Sequence, residues 1–321
     1  MKAAIVGETG LEIRDVPQPT PKPTEVLVKV RAIGMNRADL PGIYGSGHAR
    51  DVGAMPGIEW AGEVVSCGAE TKGVKPGDRV MCTGRAAYAE YAVTDYGRVT
   101  PVPANNMSWE QAATLPTGLG TMHDAIVTNG RMKKGDAVLI QGASSGVGLL
   151  GQQIAKYLGA RLVIGTSTND GRRARLKEYG ADLAIDTRKP DWSEEVLKAT
   201  DGKGVDVIVD MVSASVANQN LKATAIMGRI VNVGRLGGGH GEFDFDTHAR
   251  RRIAYIGVTH STRSMTELRE EVRRWREDLW DAVVDGTLHL PIDRTFRLDE
   301  AEEAQKHMRT NSHFGKIVMI P

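Results

Sequence analysis

The chain has 321 residues, 41% hydrophobic and 25% charged, with 41 Lys and Arg against 40 Asp and Glu. That length suits about two domains, and a net charge of +1 gives no electrostatic draw toward nucleic acid or a membrane surface. Two cysteines, Cys67 and Cys82, exclude a disulfide framework and a multi-cysteine zinc site, and no apolar run approaches the roughly 20 residues of a membrane span.

The N-terminal "MKAAIVGETG" reads as a strand entering a turn, without the apolar core of a signal peptide. The expectation is a cytoplasmic enzyme or binding protein for a small molecule. "PQPTPKPT" (17–24) is a Pro-rich surface connection. Short β-like runs follow, "EVLVKVRAIG", "GIEWAGEVVSCG" and "AEYAVT", and "KPGDRV" places Pro, Gly and Asp in a turn before a strand. Near 108 the character changes. "SWEQAATL" opens a helix, with Ser108 as N-cap and Gln111 completing a capping box.

From 136 to 258 strands alternate with helices: "AVLIQG", "RLVIGT", "LAID", "VDVIVDM", "GRIVNVG" and "RIAYIGV" are the strands. The alternation predicts a parallel sheet covered on both faces, and "GRIVNVG" is apolar enough to lie at a sheet edge where two copies could pair. "TELREEVRRWREDLWDAVVD" (266–285) is an amphipathic helix whose Trp275, Leu279, Ala282 and Val283 share one stripe. The helix-like "DEAEEAQKHM" and strand-like "KIVMI" close the chain and return to the first domain.

The first strand of the series runs into "IQGASSGVGLLG" (140–151) and then a helix. Glycines in such a turn let the backbone approach a pyrophosphate, and the helix N-terminus offers free N–H groups and the positive end of a dipole. Gly146 and Gly148 serve close approach and helix–strand packing. Ser144 and Ser145 add hydroxyls. Ala143 and Ser145 stand where the first two glycines of G-x-G-x-x-G would be, and Val147 completes the turn. The context predicts a dinucleotide site.

The second strand indicates which dinucleotide. NAD sites place an acidic residue at its end for the ribose 2′-hydroxyl. Here Thr166 and Ser167 end the strand, and Asn169, Arg172 and Arg173 follow. Hydroxyl, amide and guanidinium donors suit a 2′-phosphate, which a carboxylate would repel. The residues favour NADPH. Asp170 is the acidic residue of this turn and the candidate ribose ligand of an NAD site.

These stretches, with "AIGMNRADL", "PGIEWAGEVVSCG", "AATLPTGLGTMHDAI", "YGADLAID" and "HFGKIVMI", together resemble the medium-chain dehydrogenase/reductase superfamily. Within it, the chain is similar to the zinc-independent quinone oxidoreductase (zeta-crystallin-like) branch. The resemblance implies an α/β protein: a GroES-like β-rich catalytic domain (1–112 and 259–321), a Rossmann domain with a doubly wound parallel sheet (113–258), a cleft between them, and a homodimer. Zinc-using members carry Cys and His where this chain has Asn36 and Ile58. An amide and an alkyl side chain cannot replace thiolate and imidazole on Zn²⁺, so no metal is expected.

The resemblance places Asn36 near nicotinamide and substrate, with Asp39 in the same "NRAD" loop as a site carboxylate or a turn-stabilising one. Tyr44 is the nearest phenol to the active-site tyrosine of relatives, though it comes earlier in the loop. His123 is a proton donor or relay, or else a buried, backbone-satisfied histidine. Asp124, Val233, Gly234, Arg263, Phe314 and Lys316 are implied cofactor contacts. Thr187, where relatives carry Tyr, is a weaker one. Asp210 reads as a loop-capping carboxylate. The expected activity is hydride transfer from NADPH to a quinone or an activated alkene such as an enone. The alternatives are an enoyl-thioester reductase or ketone/alcohol dehydrogenase on the same fold, and a non-catalytic NADPH-binding structural or nucleic-acid-binding protein.

Overall fold

The computed structural model describes residues 1–40, 51–104 and 106–321. The chain divides into two compact units. The first holds Met1–Thr117, Met265–Arg276 and Val283–Pro321; the second holds Gly118–Ser264 and Glu277–Ala282.

The first unit begins with an antiparallel pair, β1 (Lys2–Val6) and β2 (Leu11–Asp15). Its spine is β3 (Glu25–Gly34), where Val28, Val30 and Ala32 are buried while Lys29 and Arg31 face water, the period-2 alternation of a half-buried strand. It pairs antiparallel with β4 (Glu59–Cys67), which leads through β5 (Arg79–Thr83) to β7 (Val99–Pro101); β6 (Tyr91–Asp95) pairs with the first half of β3. The "KPGDRV" turn closes as expected: the Asp78 carboxylate accepts the Lys75 amide at 2.9 Å, and Gly77 takes φ 88°. The capping box also forms at α1 (Trp109–Ala112), where Ser108 and Gln111 each accept the other's backbone N–H at 3.1 Å.

After α2 (Pro116–His123) comes a π-helical turn, Asp124–Asn129. The second unit then alternates: β8 (Ala137–Gln141), α3 (Gly146–Tyr157), β9 (Leu162–Thr166), α4 (Asp170–Ala174), β10 (Leu183–Ile185), α5 (Trp192–Ala199), β11 (Val205–Asp210), α6 (Ala217–Ala223), β12 (Thr224–Asn232), α7 (Phe245–Arg251) and β13 (Ala254–Gly257). The strands are parallel in the order β10-β9-β8-β11-β12-β13. Every residue of β8 is buried, as a strand covered on both faces requires. The "GRIVNVG" strand is not an edge. It is β12, paired with β11 on one side and β13 on the other; the edges are β10 and β13. Apolar content marked burial on two faces, which an interior strand has as well.

The long helix α8 (Met265–Val284) buries Trp275, Leu279, Ala282 and Val283, each at most 2% exposed, the stripe its spacing predicts. β14 (Ile292–Arg297), α9 (Ala301–Arg309) and β15 (Lys316–Ile320) return to the first unit. β15 pairs with the far end of β3, Val318 against Gly34 and Met319 against Ile33. That pairing carries Lys316 toward the residues that follow β3.

Candidate active site

In the first unit a polar cluster is sealed at the end of β3. Asn36, directly after the strand, opens a 3₁₀ turn, Arg37–Asp39. The Asn36 Nδ2 donates to Glu59 Oε2 at 2.9 Å and to the Gly34 carbonyl at 3.1 Å. Lys316 Nζ donates to Asn36 Oδ1 at 2.9 Å and to Glu59 Oε2 at 2.6 Å. The remaining Glu59 oxygen accepts the Thr117 amide at 2.7 Å. Gly34 is required by this crowding: a Cβ there would stand 1.9 Å from the Ala113 carbonyl oxygen and 2.9 Å from Glu59 Oε2.

Asp39 is 1% exposed. Its Oδ2 accepts the Asn36 amide at 2.8 Å and the Tyr88 hydroxyl at 3.3 Å, while Oδ1 is buried with no hydrogen-bond partner among the described residues. Burial pushes this carboxyl up from 3.8 to about 7, against the opposing pull of the Asn36 amide and Lys316. The turn-stabilising role is therefore present, in a carboxyl set apart by its desolvation. Tyr44 lies outside the described residues. Phe314 is buried, and its amide donates to Asp293 Oδ1 at 3.0 Å.

In the second unit the strand order reverses between β8 and β11, so the turns leaving these strands flank the crevice where open α/β sheets bind ligands. The first turn is 142–148. Gly142 adopts φ 72°, and the Ala143 amide donates to the Thr166 carbonyl at 2.9 Å. Ser145 caps α3 by accepting the Gly148 amide at 3.1 Å. A Cβ on Gly148 would sit 2.7 Å from Ala143 Cα, so the glycine permits the close helix–turn contact. The Gly146 and Val147 amides have no intrahelical acceptor by helix geometry and make a ready anion site. Asp210 caps the second turn, its Oδ1 accepting the Val212 and Ser213 amides at 2.8 and 2.9 Å. Its own carbonyl accepts the Val233 and Gly234 amides at 2.8 and 3.2 Å.

The predicted phosphate residues follow β9. Thr166 turns inward, donating to Gln141 Oε1 at 2.7 Å and accepting the Gly142 amide at 3.1 Å, so its hydroxyl clasps the glycine turn. Ser144 and Ser167 hydroxyls meet at 3.0 Å. Asn169 caps α4 through the Arg172 amide at 2.9 Å. Arg173 donates to the Ser167 carbonyl at 3.0 Å and to Asp170 Oδ1 at 2.9 Å. Sequence reasoning missed Arg188. It donates to Asp170 Oδ1 at 2.6 Å and to both oxygens of Asp186. Hydrogen bonds from Arg173 and Arg188 hold the Asp170 carboxyl below its ordinary range, and Arg188 does the same for Asp186. Thr187, half-buried, stands between Asp186 and Arg188.

His123 is 1% exposed, and its partner is a carboxylate, not the backbone: Nε2 lies 2.7 Å from Asp278 Oδ2. Its neighbour Asp124 accepts Arg263 Nη2 at 2.6 Å. Both open the π-helical turn, an irregularity frequent at functional sites.

The residues do not suit zinc. The Asn36 amide is pinned on both ends, Ile58 has no donor atom, and a cationic Lys316 Nζ stands 2.9 Å from Asn36 Oδ1, where a dication would be repelled. Among the described residues no three His, Cys, Asp or Glu are grouped to hold a metal.

A parallel sheet in this order, with a Gly- and Ser-rich turn and a capped helix at its switch point, defines a Rossmann-type scaffold in a chain that also carries a GroES-like β unit. Residues 22–104 match the family described as alcohol dehydrogenase GroES-like domain, and 146–277 the one described as zinc-binding dehydrogenase. The quinone oxidoreductase of Pseudomonas aeruginosa is 31% identical, covering 99% of this chain and 98% of that protein. The chain belongs to the quinone oxidoreductase branch of the medium-chain dehydrogenase/reductase superfamily. A phenolphthiocerol/phthiocerol polyketide synthase of Mycobacterium tuberculosis is 29% identical over 96% of this chain, which spans only 14% of that protein's length. A solved mycobacterial structure complexed with NADPH matches over the full length of both chains, at 27% identity and TM-score 0.87.

Proposed function

We propose that the protein is an NADPH-dependent, zinc-independent reductase acting on a quinone or on the β-carbon of an activated alkene such as an enone. The observation that carries the cofactor choice is the charge balance after β9. Asp170, the candidate ribose ligand, is already ion-paired with Arg173 and Arg188, so this turn presents guanidinium donors and no uncompensated carboxylate. A 2′-phosphate is favoured by such a turn. The amides of Gly146 and Val147 hold the pyrophosphate, with Ser144 and Ser145 beside them. Asn169 and Arg172 take the 2′-phosphate end, and Val233 and Gly234 line the path toward the nicotinamide. NADPH bound there supplies a hydride. The chain's own contribution is to orient the acceptor, exclude water and stabilise the charge that develops on its oxygen.

The match to part of a polyketide synthase favours one second reading, an enoyl thioester as the substrate. A single screen tests both: oxidation of NADPH and of NADH against quinones, enones, enoyl thioesters and ketones. Preference for NADH, or turnover restricted to ketones, refutes the reading.

A further inference from the structure

We propose that Lys316, rather than Asn36, is the donor that takes the negative charge developing on the substrate's carbonyl oxygen, an inference that rests on the reductase reading above. It follows from an inventory of donors. A side-chain amide has two N–H groups, and an ammonium has three. Asn36 spends both of its own, one on Glu59 Oε2 and one on the Gly34 carbonyl, and its Oδ1 can only accept. Among the described residues Lys316 spends two of three, on Asn36 Oδ1 and Glu59 Oε2.

Glu59 is fully buried, whereas Asn36 and Lys316 keep 7% and 5% of their surface. Of the three, only the ammonium keeps an N–H uncommitted among the described residues. Glu59 and Asn36 thus fix the ammonium's direction before substrate arrives, which is what makes a charged donor effective as charge builds. They are positioning residues.

The reaction balances in these terms. As hydride adds to the β-carbon of an enone, a C–H bond forms there. The alkene π pair moves to the bond between the α-carbon and the carbonyl carbon, and the carbonyl π pair moves onto oxygen. The enone is reduced by two electrons and the cofactor oxidised by two. The enolate oxygen takes the third Lys316 N–H, and a solvent proton then completes the α-carbon.

Lys316→Met alone strands the Glu59 charge in the interior, which endangers folding. The test therefore uses Glu59→Gln/Lys316→Met alongside it. Wild type and double variant are compared by NADPH fluorescence titration, by single-turnover hydride transfer to an enone at saturating NADPH, and by binding of 4-nitrophenolate followed through its visible absorbance. The phenolate carries its charge on oxygen as the enolate does. The expected result is hydride transfer slowed about 100- to 1000-fold, the effect of losing one such donor. With Lys316 a substrate donor in place of the cofactor contact that the resemblance implies, NADPH affinity should stay within about threefold, and phenolate binding should be lost. A double variant that transfers hydride at the wild-type rate overturns the inference and leaves the reductase reading standing; so does a defect confined to NADPH binding. If wild type turns over no acceptor, the reductase reading falls. Phenolate binding then decides Lys316: dependence on the lysine keeps its role as an oxyanion donor, and equal binding by both proteins removes it.

Discussion

Asp39 offers the sharpest test of the sealed cluster. Its carboxyl is 1% exposed with Oδ1 unpartnered among the described residues, and burial raises it from 3.8 to about 7. The folded chain therefore holds a proton that the unfolded chain releases. A raised carboxyl contributes fully below 3.8, and its contribution is lost as pH rises toward about 7. Lys316 and the Asn36 amide limit this cost, and Glu59 adds to it. Between pH 5 and pH 8 the lost stability is about 2–3 kcal/mol, at about 1.4 kcal/mol per pH unit with the native group titrating near the top of that span. Asp39→Asn keeps an oxygen for the Asn36 amide and the Tyr88 hydroxyl and removes the titration. Relative to wild type, the variant should gain about 2–3 kcal/mol on going from pH 5 to pH 8. Urea unfolding of both proteins at the two pH values, followed by tryptophan fluorescence, measures the difference. A gap that is the same at both pH values to within about 0.5 kcal/mol refutes the argument, because Asp39 would then ionise as an exposed carboxylate does.

Arg172→Ala should weaken NADPH by roughly 10- to 100-fold, the loss of one charge-assisted bond of about 1.5–3 kcal/mol, and leave NADH nearly unchanged. Arg173→Ala should weaken both cofactors, because Arg173 also ties down the Ser167 carbonyl; fluorescence titrations of each cofactor that show normal NADPH binding in both variants reject the phosphate assignment. Chelators should leave activity intact, and elemental analysis finding stoichiometric zinc with activity lost to chelation would contradict the reading of Asn36 and Lys316. Two copies should pair through the open edge of β13, giving light scattering at twice the 34.7 kDa chain mass; a monomer mass at micromolar concentration rules this out.

What the amino-acid sequence determines by itself is local. The capping box of Ser108 and Gln111, the Ser145 and Asn169 caps, the Gly148 contact and the α8 stripe all form between residues a turn or two apart, so spacing alone selects them. The alternation of strand and helix carried the parallel sheet and its glycine turn for the same reason. The pairings that set the chemistry are distant. Asn36 meets Glu59 and Lys316, His123 meets Asp278 across 155 positions, and Arg188 reaches back to Asp170. "GIEWAG" and "GK" put Glu59 and Lys316 in view, but no periodicity marks them as partners. Strand order likewise decided that β12 is interior. Desolvation decided Asp39: burial is a property of everything packed around a group, and a carboxyl in a polar "NRAD" loop shifts toward neutrality only once β3, β15 and α9 have closed over it.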